Sequence, residues 1–281
     1  MSVGLVLEGG AMRGMYTAGV LDIFLDNDIK IDGIVGVSAG ALFGVNYASG
    51  QRGRVIRYNK KYAADKRYMG FRSWLKTGNI INCDFAYYEV PLSLDPFDDE
   101  AFQKSGIDYY ATVTNVETGR PEYIKVENTI RQLELFRATS AMPFFSEIIE
   151  YEGKKYLDGG VSDSIPVEKC RELGYDKIIV VLTRPLEYRK KKHSGALAKI
   201  KYSSYPNLAD AINSRYARYN ETLDKVAEME ARGEIFVIRP SRTVDIKRVE
   251  KDVEKLQEMY DLGVHDCESS IAALRAYLES R

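Results

Sequence analysis

Short apolar runs alternate with segments of helical periodicity over most of the chain. Residues 3–7 (VGLVL) and 34–37 (IVGV) are apolar throughout, as expected of strands that are buried on both faces of a parallel sheet. Between them, from Met15 to about Asn27, apolar residues recur at helical spacing. This succession of strand, helix and strand predicts a βαβ unit at the start of the fold.

The remainder of the chain continues the same alternation. Residues 109–116 and 122–126 predict a hairpin around ETGRP, and further strands are predicted in KYLDGGV, at residues 177–183 and at residues 234–238. Helical patterns are predicted at residues 39–49, 51–66, 128–139, 207–232 and 246–279, the last broken near Gly263. Residues 69–98 lack a regular pattern, which suits a cap or lid.

We therefore predict an α/β fold with a mainly parallel central sheet, helices on both faces in three α/β/α layers, and a helical C-terminal part. Residues 1–183 are expected to form the core. Residues 184–281 are expected to form a mostly helical extension packed on that core, which contributes a strand near residues 234–238.

Composition narrows the class of partner. Forty basic and 41 acidic residues leave a formal charge of −1, so we expect no nucleic-acid partner. A local basic patch stays open, because RKKKH (residues 189–193) is followed by two lysines and two tyrosines, namely Lys199, Lys201, Tyr202 and Tyr205. That patch has two interpretations, a peripheral membrane contact through anionic head groups or an ordinary solvated loop.

Cysteine usage and apolar run lengths predict a cytoplasmic protein. The three cysteines are widely and irregularly spaced, which argues against a disulfide framework and against a CxxC metal site. The apolar runs are of strand length, short of the roughly 18 to 20 residues that cross a bilayer. Nor is a signal peptide visible before the first strand. Any membrane contact is therefore expected to be peripheral.

The stretch GVSAG, residues 36–40, matches the G-x-S-x-G pattern of a nucleophilic serine. An apolar strand precedes Ser38 and a helical segment follows it, as such a strand-to-helix turn requires. Gly36 and Gly40 relieve crowding in a turn of this kind. The alternative interpretation is a serine that merely caps a helix in an ordinary βα turn.

A serine nucleophile needs a base, and neither histidine suits that role. His193 closes the basic run and His265 lies in the C-terminal helical segment, so both are expected to be surface residues. A partly desolvated carboxylate is an alternative base. Asp158, in YLDGGV, ends a strand-like segment and precedes two glycines that allow close backbone approach. The competing interpretation of Asp158 is an Asp-Gly hairpin turn.

The segment LEGGAMRG after the first strand is the candidate oxyanion hole. Gly9, Gly10 and Ala11 offer consecutive N–H groups, and Arg13 adds positive charge. The glycine spacing differs from the G-x-G-x-x-G of dinucleotide sites, and the G-K-[ST] of a phosphate-binding loop is missing.

EGGAMRG, GVSAG and DGG in this order resemble the patatin-like phospholipase family, and the similarity extends over about residues 3–183. The resemblance implies that Ser38 and Asp158 form a catalytic dyad that hydrolyses acyl esters. It also implies that Gly9, Gly10, Ala11 and Arg13 form the oxyanion hole. The family loop usually has three successive glycines, and Ala11 replaces the third. Alanine retains its N–H, which suffices if this position needs no positive φ.

The resemblance implies a lipid or acyl-ester substrate and neither a metal nor an organic cofactor. Two alternatives remain open at this point: a carboxylesterase or lysophospholipase that acts on soluble acyl esters, and a non-catalytic lipid-binding module. The oligomeric state is open as well. Met12, Met142, Phe144 and Phe145 are candidates for an acyl pocket, or else ordinary core residues.

Overall fold

The computed structural model describes residues 1–192 and 194–280, and within these residues the central sheet has eight strands. They are β1 (Val3–Leu7), β2 (Gly33–Val37), β3 (Asp108–Asn115), β4 (Pro121–Val126), β5 (Ile149–Tyr151), β6 (Lys154–Asp158), β7 (Lys177–Val181) and β8 (Phe236–Ile238). The order is β5-β6-β3-β2-β1-β7-β8, with β4 also paired to β3. Strands β8, β7, β1, β2 and β3 run parallel, whereas β4, β5 and β6 pair antiparallel. The prediction of a mainly parallel central sheet is confirmed.

Helices cover both faces of this sheet. They are α1 (Met15–Asp26), α2 (Ala39–Ala48), α3 (Arg54–Tyr62), α4 (Phe71–Thr77), α5 (Asp99–Lys104), α6 (Leu133–Ser140), α7 (Val167–Glu172), α8 (Ala196–Lys201), α9 (Pro206–Ala231) and α10 (Val253–Glu279). Alternate residues of β1 face opposite layers: Leu5 and Leu7 join the core with α1, α2, α6 and α10, and Val6 joins the core with α7 and α9. The predicted three-layer arrangement is therefore present.

The predicted break in the last helix is wrong, because α10 continues through Gly263. The reason is its contact with α1. A Cβ at Gly263 would lie 2.1 Å from the carbonyl oxygen of Tyr16, and a Cβ at Gly19 would lie 2.3 Å from that of Tyr260. These glycines let two helix backbones approach each other closely, a packing function that the sequence pattern does not distinguish from a helix stop.

Residues 69–98 are not irregular as predicted, since they contain α4 and a π-helical segment, Asp84–Leu94. Phe85, Tyr87 and Val90 bury their side chains from that segment, so tertiary packing outweighs its poor helical pattern. A short strand was also missed, because β5 pairs with β6 as a hairpin. Three-residue strands carry too little periodicity to be recognised.

The C-terminal part adds to the same sheet. β8 extends it beyond β7, and α10 lies along α1. The division into two units at residue 183 stays a prediction. Within the described residues, no helix is both long enough and apolar enough to cross a membrane.

Candidate active site

Strands β2 and β6 end against each other on the same edge of β3. Val37, the last residue of β2, pairs with Thr112, while Asp158, the last residue of β6, pairs with the adjacent Val113. Because β2 runs parallel to β3 and β6 runs antiparallel to it, the carboxyl ends of β2 and β6 meet head to head. Ser38 follows β2 directly and therefore lies beside Asp158.

Ser38 occupies a backbone conformation that L-residues rarely adopt, with φ 53° and ψ −123°. It is the residue before α2, but its hydroxyl makes no capping bond. Instead Oγ donates a hydrogen bond to Oδ2 of Asp158 at 2.9 Å, in a buried setting. The amide of Ser38 donates to Oγ1 of Thr139 at 3.0 Å, and the Thr139 hydroxyl donates to the carbonyl of Thr112. The helix-capping interpretation therefore does not describe what the hydroxyl does.

The two glycines predicted for the turn fill positions with no room for a side chain. A Cβ at Gly40 would lie 2.5 Å from the carbonyl oxygen of Leu7, and a Cβ at Gly36 would lie 2.7 Å from Cα of Ala41. The start of α2 therefore packs directly on the end of β1. This contact brings the loop that follows β1 next to Ser38.

Asp158 is buried, and both of its carboxylate oxygens are engaged. Oδ2 accepts the bond from Ser38, and Oδ1 accepts from the amide of Gly160 at 2.7 Å. Burial raises the pKa of Asp158 above its ordinary value, while the charge of Arg215 and these hydrogen bonds oppose the rise. Asp158 ends β6 and opens a 3₁₀ turn, Gly159–Val161, so it does not form a hairpin turn.

The glycine loop after β1 lies against the serine. A Cβ at Gly9 would lie 3.3 Å from Cβ of Ser38. The amide of Gly9 donates to the carbonyl of Ser164 at 3.3 Å, whereas the amides of Gly10 and Ala11 have no acceptor among the described residues. Ala11 has φ 49°, in the left-handed region. The condition attached to Ala11 therefore fails, since this position does take a positive φ, and alanine bears the strain that glycine would avoid.

Arg13 follows on a 3₁₀ turn, Ala11–Gly14, and lines the same cavity as Ser38 and Asp158. Burial and the neighbouring Arg184 lower the pKa of Arg13 to about 10, and its buried Nε has no hydrogen-bond partner within the described residues. This N–H group is therefore free to donate a hydrogen bond to a ligand in the cavity.

Two hollows open on Ser38. The larger is a cavity of about 530 Å³ that also contains Asp158 and the glycine loop, and the smaller is a mainly apolar pocket of about 90 Å³. Of the four acyl-pocket candidates, Met12 and Met142 line the apolar pocket, and Phe144 and Phe145 line the larger cavity. We name these hollows the main cavity and the apolar pocket.

The remaining candidates lie elsewhere. His265 is exposed on α10 in a groove that does not include Ser38, and His193 lies outside the described residues. Tyr202 is buried, and its hydroxyl accepts from the amide of Phe144 at 3.0 Å, so it is not an interface tyrosine. Within the described residues, no three His, Cys, Asp or Glu side chains are grouped so as to hold a metal ion.

Sequence reasoning missed several residues that build the site. Glu8 is buried, and its carboxylate accepts from the amide of Thr183 at 2.6 Å and from the hydroxyl of Tyr219 at 2.7 Å. It thereby ties the glycine loop to the end of β7 and to α9. Thr139, which holds the Ser38 amide, was also missed. Its signal was the segment RATSAMPFFSE, which resembles the family and has the hydroxyl pair Thr139 and Ser140 at the end of a predicted helix.

Comparison with known proteins identifies a family. The sequence model described as patatin-like phospholipase matches residues 5–170, and one described as a domain of unknown function (DUF6363) matches residues 205–279. The chain is 27% identical over 273 residues to the uncharacterized protein YjjU of Escherichia coli (strain K12), covering 93% of this chain and 74% of that protein.

Other relatives are much longer proteins. Lysophospholipase nte1 of Aspergillus oryzae is 30% identical over 187 residues, which cover 64% of this chain but 12% of that protein. Lysophospholipase NTE1 of Saccharomyces cerevisiae is 24% identical over 283 residues, which cover 94% of this chain and 16% of the yeast protein. The chain thus spans only a small part of these lysophospholipases. VipD from Legionella pneumophila superposes with a TM-score of 0.44 at 13% identity, covering 95% of this chain and 67% of VipD.

Proposed function

This chain belongs to the patatin-like phospholipase family, and we propose that it hydrolyses fatty-acyl ester bonds of phospholipids or related lipids through a dyad of Ser38 and Asp158. One observation carries the proposal, namely the 2.9 Å hydrogen bond from Ser38 Oγ to Asp158 Oδ2 at the edge of a cavity. A hydroxyl held against a buried carboxylate is the arrangement that a nucleophile and its base require.

In the first step, Ser38 Oγ attacks the ester carbonyl carbon while its proton passes to Asp158 Oδ2. The raised pKa of Asp158 favours this transfer, because burial penalises the ionised form. The tetrahedral intermediate then collapses. Asp158 returns the proton to the leaving alcohol, an acyl-enzyme forms at Ser38, and water repeats the sequence to release the fatty acid.

The developing oxyanion meets the glycine loop. We assign Gly9, Gly10, Ala11 and the charge of Arg13 to the oxyanion hole, with distinct contributions. The amides of Gly10 and Ala11 are the direct donors, because the Gly9 amide is bonded to Ser164 and so fixes the loop in place. Gly36 and Gly40 hold Ser38 in its turn.

We assign the acyl chain to the apolar pocket. Its walls include Met12, Leu42, Phe43, Met69 and Tyr87. Apolar walls next to Ser38 exclude water from the nucleophile once an acyl chain is bound, which strengthens the electrostatic interactions there.

We also propose that the mouth of the main cavity rests on lipid aggregates. Leu197, Ile200 and Phe145 are 70%, 73% and 41% exposed, and the exposed Lys199 and Lys201 accompany them. Leu197 and Ile200 lie three residues apart and so share one face of α8. Exposed apolar residues beside lysines are typical of a peripheral membrane contact.

The alternative enzyme, a carboxylesterase or lysophospholipase that acts on soluble acyl esters, is supported by the lysophospholipase relatives. It differs in its response to aggregation. A lipase of membranes should turn over micellar or vesicle substrate faster than the monomer, and Ile200→Glu should weaken the vesicle reaction more than the monomer reaction. Equal rates on monomer and vesicle would favour the soluble-ester alternative.

The dyad is tested with p-nitrophenyl esters and a fluorophosphonate label. The wild type should hydrolyse the esters and be labelled at Ser38, while Ser38→Ala and Asp158→Asn should each lose at least about a thousandfold in turnover. A variant in which His193 and His265 are both glutamine serves as the control and should keep its turnover. Full activity in Asp158→Asn, or a large loss of turnover in the histidine variant, would refute the proposed dyad. A wild type that binds liposomes but cleaves no ester would favour the lipid-binding module.

A further inference from the structure

The main cavity is strongly basic. Its lining includes seven basic side chains and two carboxylates, namely Arg13, Arg184, Arg189, Lys190, Lys191, Arg215 and Arg248 with Glu8 and Asp158. All the basic residues except Arg13 come from beyond residue 183, the part of the chain to which the proposed chemistry assigns no group. Apart from Arg13 in the oxyanion hole, the proposed chemistry gives these basic side chains no contact with the reacting atoms.

The two carboxylates do not neutralise these cations by direct pairing. Glu8 is occupied by Thr183 and Tyr219, and Asp158 by Ser38 and Gly160. In the chain as described, six of the seven cations have no carboxylate within ion-pair distance, namely Arg13, Arg184, Lys190, Lys191, Arg215 and Arg248, whereas Arg189 pairs with Asp224.

Two arginines on α9 differ in how far their guanidinium groups are hydrogen-bonded within the protein. Arg218 donates to the carbonyls of Val161, Ser162 and Ala211. Arg215, nearly one turn earlier, has only a 3.5 Å contact with Ser164 Oγ, and its buried Nε has no partner within the described residues. Buried donors without acceptors are costly, so a ligand with acceptor oxygens would stabilise this group.

The pKa of Lys190 reflects the excess of positive charge in the cavity. Burial, with the charges of Arg215, Arg248 and Arg13, lowers the pKa of Lys190 to about 7. A bound anion would raise that pKa and draw a proton onto the amine.

Two of the aromatic rings that line the cavity, those of Tyr188 and Tyr219, are poor sites for a choline head group. Quaternary ammonium groups bind on open aromatic faces. Here the Arg184 guanidinium lies 4.4 Å from the ring centre of Tyr188, and Lys190 Nζ lies 4.0 Å from that of Tyr219. The protein's own cations already occupy these rings, so a cationic head group would meet charge repulsion.

Two residues connect the charge to the reaction. Ser38 and Arg248 each line both the apolar pocket and the main cavity. An acyl chain in the apolar pocket with its ester at Ser38 therefore directs the remainder of the substrate into the main cavity, past Arg248. The cation cluster lies where the head group of such a substrate would be.

We propose that the main cavity binds the phosphate of an anionic lipid head group, above all a phosphomonoester, and that Lys190, Arg215 and Arg248 make the chain prefer such substrates over choline lipids. This inference rests on the proposed function. It assigns to the segment after residue 183 the recognition of the head group. The guanidinium groups of Arg215 and Arg248 suit phosphate recognition, because a guanidinium forms paired hydrogen bonds to phosphate oxygens.

The test compares three substrates with the same short acyl chain, below their aggregation concentrations: lysophosphatidate, lysophosphatidylcholine and monoacylglycerol. We expect kcat/KM for lysophosphatidate to exceed the other two at least about tenfold, since charge-assisted hydrogen bonds to phosphate are among the strong ones. Arg248→Gln and Lys190→Gln should each reduce that ratio severalfold. Arg242→Gln is the matched control and should keep the ratio, because Arg242 lies outside the main cavity and pairs with Glu258 at 2.7 Å. A wild-type ratio near one, or a ratio unchanged in both variants, would overturn the proposal.

Binding to the Ser38→Ala variant separates this proposal from the proposed function. Calorimetry should show that Ser38→Ala binds lysophosphatidate, and that Ser38→Ala with Lys190→Gln binds it severalfold more weakly at the same pH. Glycerol 3-phosphate and inorganic phosphate are measured as comparison ligands. A lipid site should bind lysophosphatidate more tightly than either of them. Equally tight binding of all three would refute the lipid assignment. Ester hydrolysis without preferential binding of lysophosphatidate would support the proposed hydrolase and refute the head-group site. Preferential binding without hydrolysis would support the head-group site and refute the proposed hydrolase.

Discussion

The Oγ atom of Ser38 donates a 2.9 Å hydrogen bond to Oδ2 of Asp158, although 120 residues separate them along the chain. β3 produces this proximity by pairing with the ends of β2 and β6 at adjacent residues. Both groups therefore sit on hydrogen-bonded strand ends rather than on free loops, which limits their relative motion.

The pH dependence of hydrolysis should follow Asp158. As a base it must be deprotonated, so kcat/KM for a neutral p-nitrophenyl ester should rise with pH through its pKa. Burial raises that pKa, so the acid limb should lie above the ordinary value of about 3.9. Since the charge of Arg215 opposes the rise, Arg215→Gln should move the limb to higher pH and Arg215→Lys should move it less. A limb that stays in place in Arg215→Gln would contradict this account.

Ala11→Gly should stabilise the protein without loss of turnover. Relief of the left-handed strain at φ 49° is worth about 1–2 kcal/mol, and the added freedom of the unfolded chain costs about 0.4–1 kcal/mol. We expect a net gain of about 0.5–1 kcal/mol in the free energy of unfolding, measured with denaturant. Glu152→Gly is the matched control, because Glu152 has the same φ of 49° at an exposed turn. A loss of stability in Ala11→Gly alone would show that the methyl group is needed there.

Thr139→Val should damage stability and turnover together. The substitution keeps the shape of a fully buried side chain but leaves the Ser38 amide and the Thr112 carbonyl unpaired. We expect a loss of about 2–4 kcal/mol in the free energy of unfolding, since each buried unpaired group costs about 1–3 kcal/mol. Thr139→Ser retains the hydroxyl and should recover most of kcat. An effect below about 0.5 kcal/mol would mean that these bonds do not hold the turn.

Gly40→Ala should disrupt the serine turn. Its Cβ would lie 2.5 Å from the backbone oxygen of Leu7, which cannot move without displacing β1. We expect a loss of more than about 2 kcal/mol and little esterase activity. Gly174→Ala is the control, with φ +80° and open space around the added methyl, and should cost only about 1–2 kcal/mol with activity kept. Equal losses in the two variants would show that the close contact is unimportant.

Much of this architecture could be predicted from the sequence, because its strands and turns depend on residues that are close together along the chain. Apolar runs such as VGLVL and GIVGV give the buried parallel strands, and GVSAG between an apolar strand and a helical segment predicts a tight strand-to-helix turn. Ser38 and Asp158 were both predicted as a candidate nucleophile and a candidate base from such short stretches, the second because neither histidine suited the role of base.

Other features depended on contacts between distant segments. Gly263 appeared to be a helix break, but it is a close contact between α1 and α10, and no pattern within one helix distinguishes the two. The segment at residues 84–94 is helical because its aromatic residues are buried against the core. The left-handed conformation of Ala11 likewise runs against the preference of alanine itself.

By itself the sequence determined the alternation of strands and helices, the serine turn and the candidate base, because each follows from backbone preferences and spacing over a few residues. Only the tertiary structure decided that Thr139 holds the Ser38 amide, and that Glu8 joins the glycine loop to α9. It alone gathered Lys190, Arg215 and Arg248 around one cavity. The physical reason is that electrostatic fields and hydrogen bonds act through space, across segments whose separation along the chain carries no periodic signal.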